Sequence, residues 1–321
     1  MPHSNATPRN ILLLSGGSKV AIAKIAKKAA LQRGVELHIS DTSPNVPSVS
    51  VADHFTVLPH HQSPTWADEL QELCQSAQIG LVIPTRHSEL LALARCQAKF
   101  AATQTAVALS TEQALKTCIQ KIDTYRFLSS IDAPTPNSCL KRDFSGQLAF
   151  PLVAKPERGA SSTGVTTLDS HEQLANVPED WILQEKASGT EYTVNIYLSR
   201  AGKALCSIPH QRIAVEAGEV TQARTRRHPE LIELCARVAE QLPGATGIIN
   251  IQAFVDSSDG RICIIEINPR IGGGYPICDA AKGHYIEWLC REYIDQKEVA
   301  PFSAWTENLL MMRYREAVFS L

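Results

Sequence analysis

Ile264 to Gly274 reads IIEINPRIGGG, an apolar strand that ends in a carboxylate, an amide, a guanidinium and three glycines. Side chains alternate along a strand, so Glu266 and Asn268 are expected on one face, with Ile265 and Ile267 turned to the core. The preceding apolar run, Ile248 to Val255, carries Gln252, which can face the same side. Oxygen donors without thiolate or imidazole suit magnesium, which completes its shell with water and phosphate oxygens. Arg270 stands two residues further on, with a planar fork for a phosphate or a carboxylate. A strand-end carboxylate alone reads first as a structural ion pair. Its company of Asn268, Arg270 and Gly272 to Gly274 reverses that reading.

Upstream, Pro151 to Val165 reads PLVAKPERGASSTGV. A strand delivers Lys155, and the loop after it holds Gly159, Ser161, Ser162, Thr163 and Gly164. These residues are small enough for backbone N–H groups to approach phosphate oxygens. A mobile hairpin with a surface lysine is the competing reading, and the loop lacks the GxxxxGK[ST] spacing. Between the two segments lies WILQEKASGTEYTVNIYL, Trp181 to Leu198. Its strand runs through Glu185 and Lys186 and returns through Glu191, a rim suited to an adenine edge and ribose hydroxyls. Taken alone it also reads as an exposed hairpin with charged ends.

The first third has another character. Asn10 to Ser15 is a short apolar run closed by Gly16 and Gly17. A helical pattern follows through Arg33, and then a second strand, Val35 to Ser40. Helices near Thr65 to Ala77 and Ser88 to Phe100 alternate with strands at Leu81 to Pro84 and Thr105 to Ala108, which predicts an open parallel α/β sheet. SGGS at Ser15 to Ser18 matches neither a pyrophosphatase loop nor GxGxxG, and reads as a tight strand-to-helix turn. Beyond Lys121 a helix near Asp123 to Ser130 ends at Ala133-Pro134. Strands then crowd together before a long helix, Pro229 to Gln241, and a final strand pair, an α+β pattern.

Composition limits the classes of function. The 321 residues suit two or three domains, and 31 Lys plus Arg against 33 Asp plus Glu offer no global field for nucleic acid or an anionic membrane. Nine scattered cysteines without ligand spacing read as reduced thiols. Neither a signal segment nor a run long enough to span a membrane is evident, so a cytoplasmic location is expected, with Met1 to Arg9 a polar leader.

The three segments, in this order and at these separations, resemble the ATP-grasp superfamily, and within it the branch like the carbamoyl phosphate synthetase large subunit. The likeness runs from the N-terminal α/β region through STEQALKTCIQKIDTYRFLSSIDAPTPNS, Ser110 to Ser138, to EINPR. It implies a pre-ATP-grasp α/β domain over 1–110, a central lid over 111–187 and a C-terminal α+β subdomain over 188–321. ATP and Mg²⁺ are the implied cofactors. Lys121 and Lys155 would contact ATP phosphates, Glu185 and Ala187 would border adenine, and Glu191 would hold the ribose. Gln252, Glu266 and Asn268 are the implied magnesium ligands, with Arg270 on the transferred phosphate. The implied activity is formation of an acyl phosphate and its capture by an amine. The single module sets this chain beside small carboxylate–amine ligases, with small-molecule substrates and a homodimer as the superfamily-level expectation. Arg212 and Arg224, with Arg226 and Arg227, are candidates for the substrate carboxylate, and Gly273, Tyr275 and Asp279 for an acceptor pocket. A solvated basic loop is the alternative for each arginine. A carboxylate–thiol ligase, a carboxyphosphate-forming enzyme and a non-catalytic nucleotide-binding module are the alternative functions.

Overall fold

The structure, a computed structural model, describes residues 9–101, 103–159 and 164–319. The polar leader expected at the N-terminus therefore falls outside the described residues apart from Arg9. The chain divides into two compact units, one of residues 1–109, 284–300 and 315–321, the other of residues 110–283 and 301–314.

In the first unit, β1 (Asn10–Leu14), α1 (Val20–Arg33), β2 (Leu37–Asp41), β3 (His54–Val57), α2 (Trp66–Ser76), β4 (Ile79–Pro84), α3 (Leu90–Ala101) and β5 (Ala106–Val107) follow in sequence. The five strands form a parallel sheet in the order β3-β2-β1-β4-β5. Strands β1, β2 and β4 are buried almost throughout, which their continuous apolar runs require when helices cover both faces. The edge strand β3 escapes the sequence reading because His54 is exposed and Phe55 half-buried, leaving no apolar alternation. The turn after β1 departs from expectation in one respect. The left-handed residue is Ser15, at φ 53°, rather than either glycine. Gly17 is required by close approach instead: its N–H donates to Asp41 Oδ2 at 2.9 Å, and a Cβ there would stand 2.5 Å from the same oxygen.

The second unit opens with α4 (Glu112–Ile119) and α5 (Lys121–Ser130). An antiparallel sheet ordered β6-β9-β7-β8 follows, made of β6 (Ser138–Leu140), β7 (Leu152–Pro156), β8 (Thr166–Leu168) and β9 (Trp181–Glu185). Next come β10 (Thr190–Leu198), β11 (Ala204–Glu216), β12 (Glu219–Thr225), α6 (Pro229–Gln241), β13 (Gly247–Val255), β14 (Ile262–Asn268) and α7 (Tyr275–Ala280). After α8 (Tyr285–Tyr293), which packs in the first unit, β15 (Leu310–Met312) completes a six-stranded sheet ordered β14-β13-β10-β11-β12-β15.

Alternation decides the faces of this large sheet. Val194, Ile196, Ile249, Ile251, Ile264 and Ile267 turn toward Leu231, Cys235 and Val238 of α6 in one apolar cluster. Each fully buried Leu, Ile or Val stabilises by about 1.5–3 kcal/mol. The helix starts where the sequence says it should, since His228 Nδ1 accepts from Leu231 N at 3.3 Å and Pro229 opens the first turn. The opposite face carries the polar residues.

Two expectations change. The basic stretch from Gln211, for which a solvated loop was the alternative reading, is a hairpin of β11 and β12, with Glu216 opposite Glu219 across Ala217 (φ 49°) and Gly218 (φ 76°). Two successive positive φ values are those of the I′ turn that matches strand twist. Residues 284–300, expected with the C-terminal subdomain, pack in the first unit, where Arg33 of α1 meets Asp295 at 2.9 Å and Glu287 at 3.3 Å.

Candidate active site

Within the second unit a cavity of about 290 Å³ is lined by Lys121, Lys155, Gly159, Glu185, Lys186, Ala187, Glu191, Gln252 and Glu266, residues singled out from sequence. It is also lined by Val153, Pro156, Arg158, Val165, Gln184, Phe254 and Ile265, which were not. The volume is near the lower end for small-molecule sites, and the pairing of apolar walls with a few charged groups is typical of them.

The small sheet supplies one wall. On β7, Leu152 and Ala154 enter that sheet's own apolar core, so Val153 and Lys155 take the other face. Lys155 is 8 % exposed and its Nζ donates to Gln184 Oε1 at 3.0 Å. Gln184 Nε2 donates in turn to Ser138 Oγ at 3.0 Å, and that hydroxyl donates to the Pro136 carbonyl at 2.9 Å. A buried chain of hydrogen bonds thus fixes where the ammonium stands. Burial pushes the Lys155 pKa down to about 8, against the pull of Glu266 and with the push of Lys121. Lys121, at the start of α5, donates to the Gly159 carbonyl at 3.2 Å, and its pKa too is lowered by burial against Glu266 and Glu157.

Strands β13 and β14 supply the facing wall. Gln252 pairs with Glu266 and Asn250 with Asn268, so three oxygen-bearing side chains named from sequence, Gln252, Glu266 and Asn268, share the polar face. This hard-donor set beside two lysines fits a magnesium ion that takes few protein ligands and keeps the rest of its shell for water and phosphate. Ile265 corrects the sequence reading. The pairing shifts between Gln252 and Ala253, and Ile265 lines the cavity next to Glu266 where strict alternation would have sent it to the core.

The remaining expected residues vary in their surroundings. Ser161, Ser162 and Thr163 lie outside the described residues. Gly164 holds φ 77° between Pro156 and Trp181. The Glu185 carboxylate accepts from Asn137 Nδ2 at 3.0 Å and Ala149 N at 3.2 Å, so it anchors the rim. Glu191 is ion-paired with Arg212, whose Nε lies 3.0 Å from Oε1. That contact is off the N–H axis, since Nε has no hydrogen-bond partner among the described residues, so charge rather than a directed bond holds the pair.

Arg270 is half-buried, two residues past Asn268. Its Nη1 donates to the Ile271 carbonyl at 2.9 Å, and burial lowers its pKa against Glu266 and Glu219. Arg224 pairs with Gln211 one position out of step with the His210–Thr225 pair, which puts it on the face opposite Glu266. Arg226 and Arg227 are committed to residues 301–314: Arg226 to Asn308, and Arg227 to the Ser303 carbonyl and, at 4.0 Å, the Trp305 ring. Tyr275 is fully buried with its hydroxyl on the Gly283 carbonyl at 3.3 Å, and so does not line an open acceptor pocket. Asp279 lies on α7.

Close approach rather than turning calls for glycine at Gly272 and Gly274, whereas at Gly273 a Cβ would make only ordinary contact. A Cβ on Gly272 would stand 2.9 Å from Asn250 Nδ2, on Gly273 3.4 Å from Glu219, and on Gly274 2.7 Å from His210 Nε2. Sequence reasoning missed His210, Glu219 and Arg313. Arg313 joins Glu219 Oε2 at 3.1 Å to the Gly273 carbonyl. His210 is 0 % exposed, and burial, with Arg212 and Arg313 adding to it, pushes its pKa down to about 3, so the ring is neutral. Its place opposite Thr193 follows from strand register, for which the sequence carries no local signal.

Comparison with known proteins adds the family. Residues 118–274 match the model of the ATP-grasp domain, and residues 11–108 match that of the PylC-like N-terminal domain. The carbamoyl phosphate synthase large chain of Clavibacter michiganensis subsp. michiganensis is 26% identical over 163 residues, 45% of this chain and 15% of that one. The D-alanine–D-alanine ligase of Thermotoga petrophila is 28% identical over 173 residues, 47% of this chain and 56% of that one. The chain thus spans well under two thirds of the length of these relatives. In fold, it superposes on N5-carboxyaminoimidazole ribonucleotide synthetase from Thermotoga maritima with a TM-score of 0.70 at 19% identity, over 94% of this chain and 79% of that one.

Proposed function

The chain belongs to the ATP-grasp superfamily, and from that premise we propose that it is an ADP-forming ligase that activates a carboxylate on ATP and joins it to an amine. The observation that carries the reading is the opposition, across one cavity, of the buried Lys155 and half-buried Lys121 to Glu266, between apolar walls that suit a planar base.

In this reading adenine lies against Val153, Phe254 and Ile265 at the Glu185–Ala187 rim, Glu191 meets the ribose, and Lys121, Lys155 and the loop from Gly159 hold phosphates. Gln252, Glu266 and Asn268 would hold Mg²⁺, which supplies charge neutralisation of the polyphosphate when bound. A substrate carboxylate oxygen attacks the γ-phosphorus, the bond to the β-phosphate oxygen breaks, and ADP leaves. The amine then attacks the acyl carbon, loses a proton, and expels inorganic phosphate. Lys155 and Arg270 stabilise the charge that develops on the transferred group, and the burial of Lys155 strengthens its effect by excluding water. Arg212 and Gly273 belong to the substrate side of this proposal, together with a homodimeric assembly, readable by light scattering, and the cytoplasm as the compartment that supplies ATP.

Release of ADP and phosphate from Mg-ATP, measured over amino acids, dipeptides, small acids and bicarbonate offered singly and in pairs with amines, tests the reading. Turnover that requires one acid and one amine supports it; AMP and pyrophosphate as products refute it. Glu266→Gln should cut turnover at least 100-fold with an unchanged circular dichroism spectrum, and a variant of wild-type rate would remove Glu266 from the metal site.

A further inference from the structure

The first unit contains a second built site, unused by the reading above. Its sheet order reverses between β1 and β4, and the crevice outside the carboxyl ends of strands at such a reversal is where open α/β sheets bind ligands. Four features meet there. Ser15 holds a left-handed backbone at φ 53°, a conformation costly for a residue with a Cβ. Its hydroxyl donates to Oε2 of Glu89, a carboxyl only 2 % exposed whose Oε1 accepts from Arg86 N at 3.4 Å. Asp41 is neutralised by Arg86, whose Nη2 lies 3.1 and 3.3 Å from its two oxygens. Ser40, fully buried, lines the same cavity with an Oγ that has no hydrogen-bond partner among the described residues.

We propose that this cavity binds the ammonium head of a primary amine, with Glu89 as counter-ion and the Ser15 and Ser40 hydroxyl oxygens as acceptors. The charge balance selects a cation: Arg86 is matched by Asp41, and among the described residues Glu89 is left without an ion-pair partner of its own. Size selects the head group. At about 10 Å³ the cavity has the room of one water-sized group, so it takes –NH₃⁺ and excludes a nucleotide, despite its place in the fold. An ammonium carries three donors, and the acceptors left over, Glu89, Ser15 Oγ and Ser40 Oγ, match them.

Protonation supports the geometry. Burial pushes Glu89 up to about 7, with Asp41 adding to the rise and Ser15 and Arg86 opposing it. His60 and His61 are the other titratable groups lining the cavity. An ammonium binds the ionised carboxylate, so affinity falls as pH drops through 7, about tenfold weaker at pH 6 than at pH 8.

The test is a saturation-transfer NMR titration of the full chain, without nucleotide, using methylammonium as probe, tetramethylammonium as the size control and KCl as competitor at fixed ionic strength. Because no ATP is present, the outcome is independent of the ligase reading. The proposal expects a saturable methylammonium signal, at least tenfold weaker in Glu89→Gln and several-fold weaker in Ser40→Ala, with the pH dependence lost in Glu89→Gln. Ser40→Ala removes an unpartnered hydroxyl and so should keep the fold. No saturable methylammonium signal, an unchanged isotherm in Glu89→Gln, or equal saturation by tetramethylammonium overturns the proposal. Displacement by equimolar K⁺ would reassign the cavity to an alkali cation and overturn it as well.

Discussion

Lys155 is an ammonium held where water scarcely reaches, with a proton that leaves near pH 8 because burial outweighs the attraction of Glu266. A folded-state pKa below the unfolded value means that charging this group costs stability below pH 8, a cost relieved between about 8 and the ordinary lysine value of 10.5. A bound polyphosphate favours the charged form. Mg-ATP binding above pH 8 should therefore take up a proton, and the dissociation constant should rise several-fold from pH 8 to 9.5. Lys155→Arg, charged throughout, should flatten that rise; calorimetry in two buffers of different ionisation heat reads both, and a pH-independent wild type would contradict the account. Gly274 makes a second residue-scale case. His210 is buried and tied through Nδ1 to Asn195 at 3.2 Å, so it has no room to yield to a Cβ 2.7 Å away. Gly274→Ala should destabilise by about 1–3 kcal/mol, read as a lower midpoint in urea.

At the scale of elements, the hairpin of β11 and β12 decides which arginines reach the polar face. Ala217 adopts φ 49° at a position that a glycine occupies without penalty. Ala217→Gly should stabilise by about 1 kcal/mol, and Gly218→Val should destabilise by more than that. Midpoints shifted in the opposite sense would refute the turn assignment. The same hairpin marks where the sequence stops being legible. Alternation alone puts Lys155 opposite the small core and Glu266 with Asn268, because it is a local property of one strand. Three features are non-local or contrary to residue preference: the bulge that turns Ile265 into the cavity, the register that sends Arg224 away from Glu266, and a turn with alanine where glycine is expected. The apolar wall was partly readable, since Val153 and Phe254 lie two residues from Lys155 and Gln252 on the same strand faces.

Across the whole molecule the two units titrate in opposite senses. In the first, the native state holds a proton on Glu89 up to about pH 7, while the unfolded chain releases it near 4.5, so that unit loses stability as pH rises through this window. In the second, His210 stays neutral down to about pH 3 while the unfolded ring protonates near 6.5, so stability falls as pH drops below 6.5. The stability gained by Glu89→Gln over wild type should therefore grow from pH 4.5 to 7 and then level off; a gap that stays constant in calorimetry would mean that Glu89 does not hold the proton. Chain organisation was legible in the order of the elements, whereas the return of residues 284–300 to the first unit and of Arg313 to Gly273 was not. Those contacts join segments far apart in sequence through surface charge rather than pattern.

The path of a carboxylate oxygen distinguishes an acyl phosphate from other modes of activation. Once the assay identifies an acid and an amine, the acid is labelled with ¹⁸O in its carboxylate and the products are read by ³¹P NMR. Activation as an acyl phosphate predicts one ¹⁸O atom in the inorganic phosphate for each bond formed, with ADP as the nucleotide product. Phosphate free of label, or label in AMP, would contradict the account.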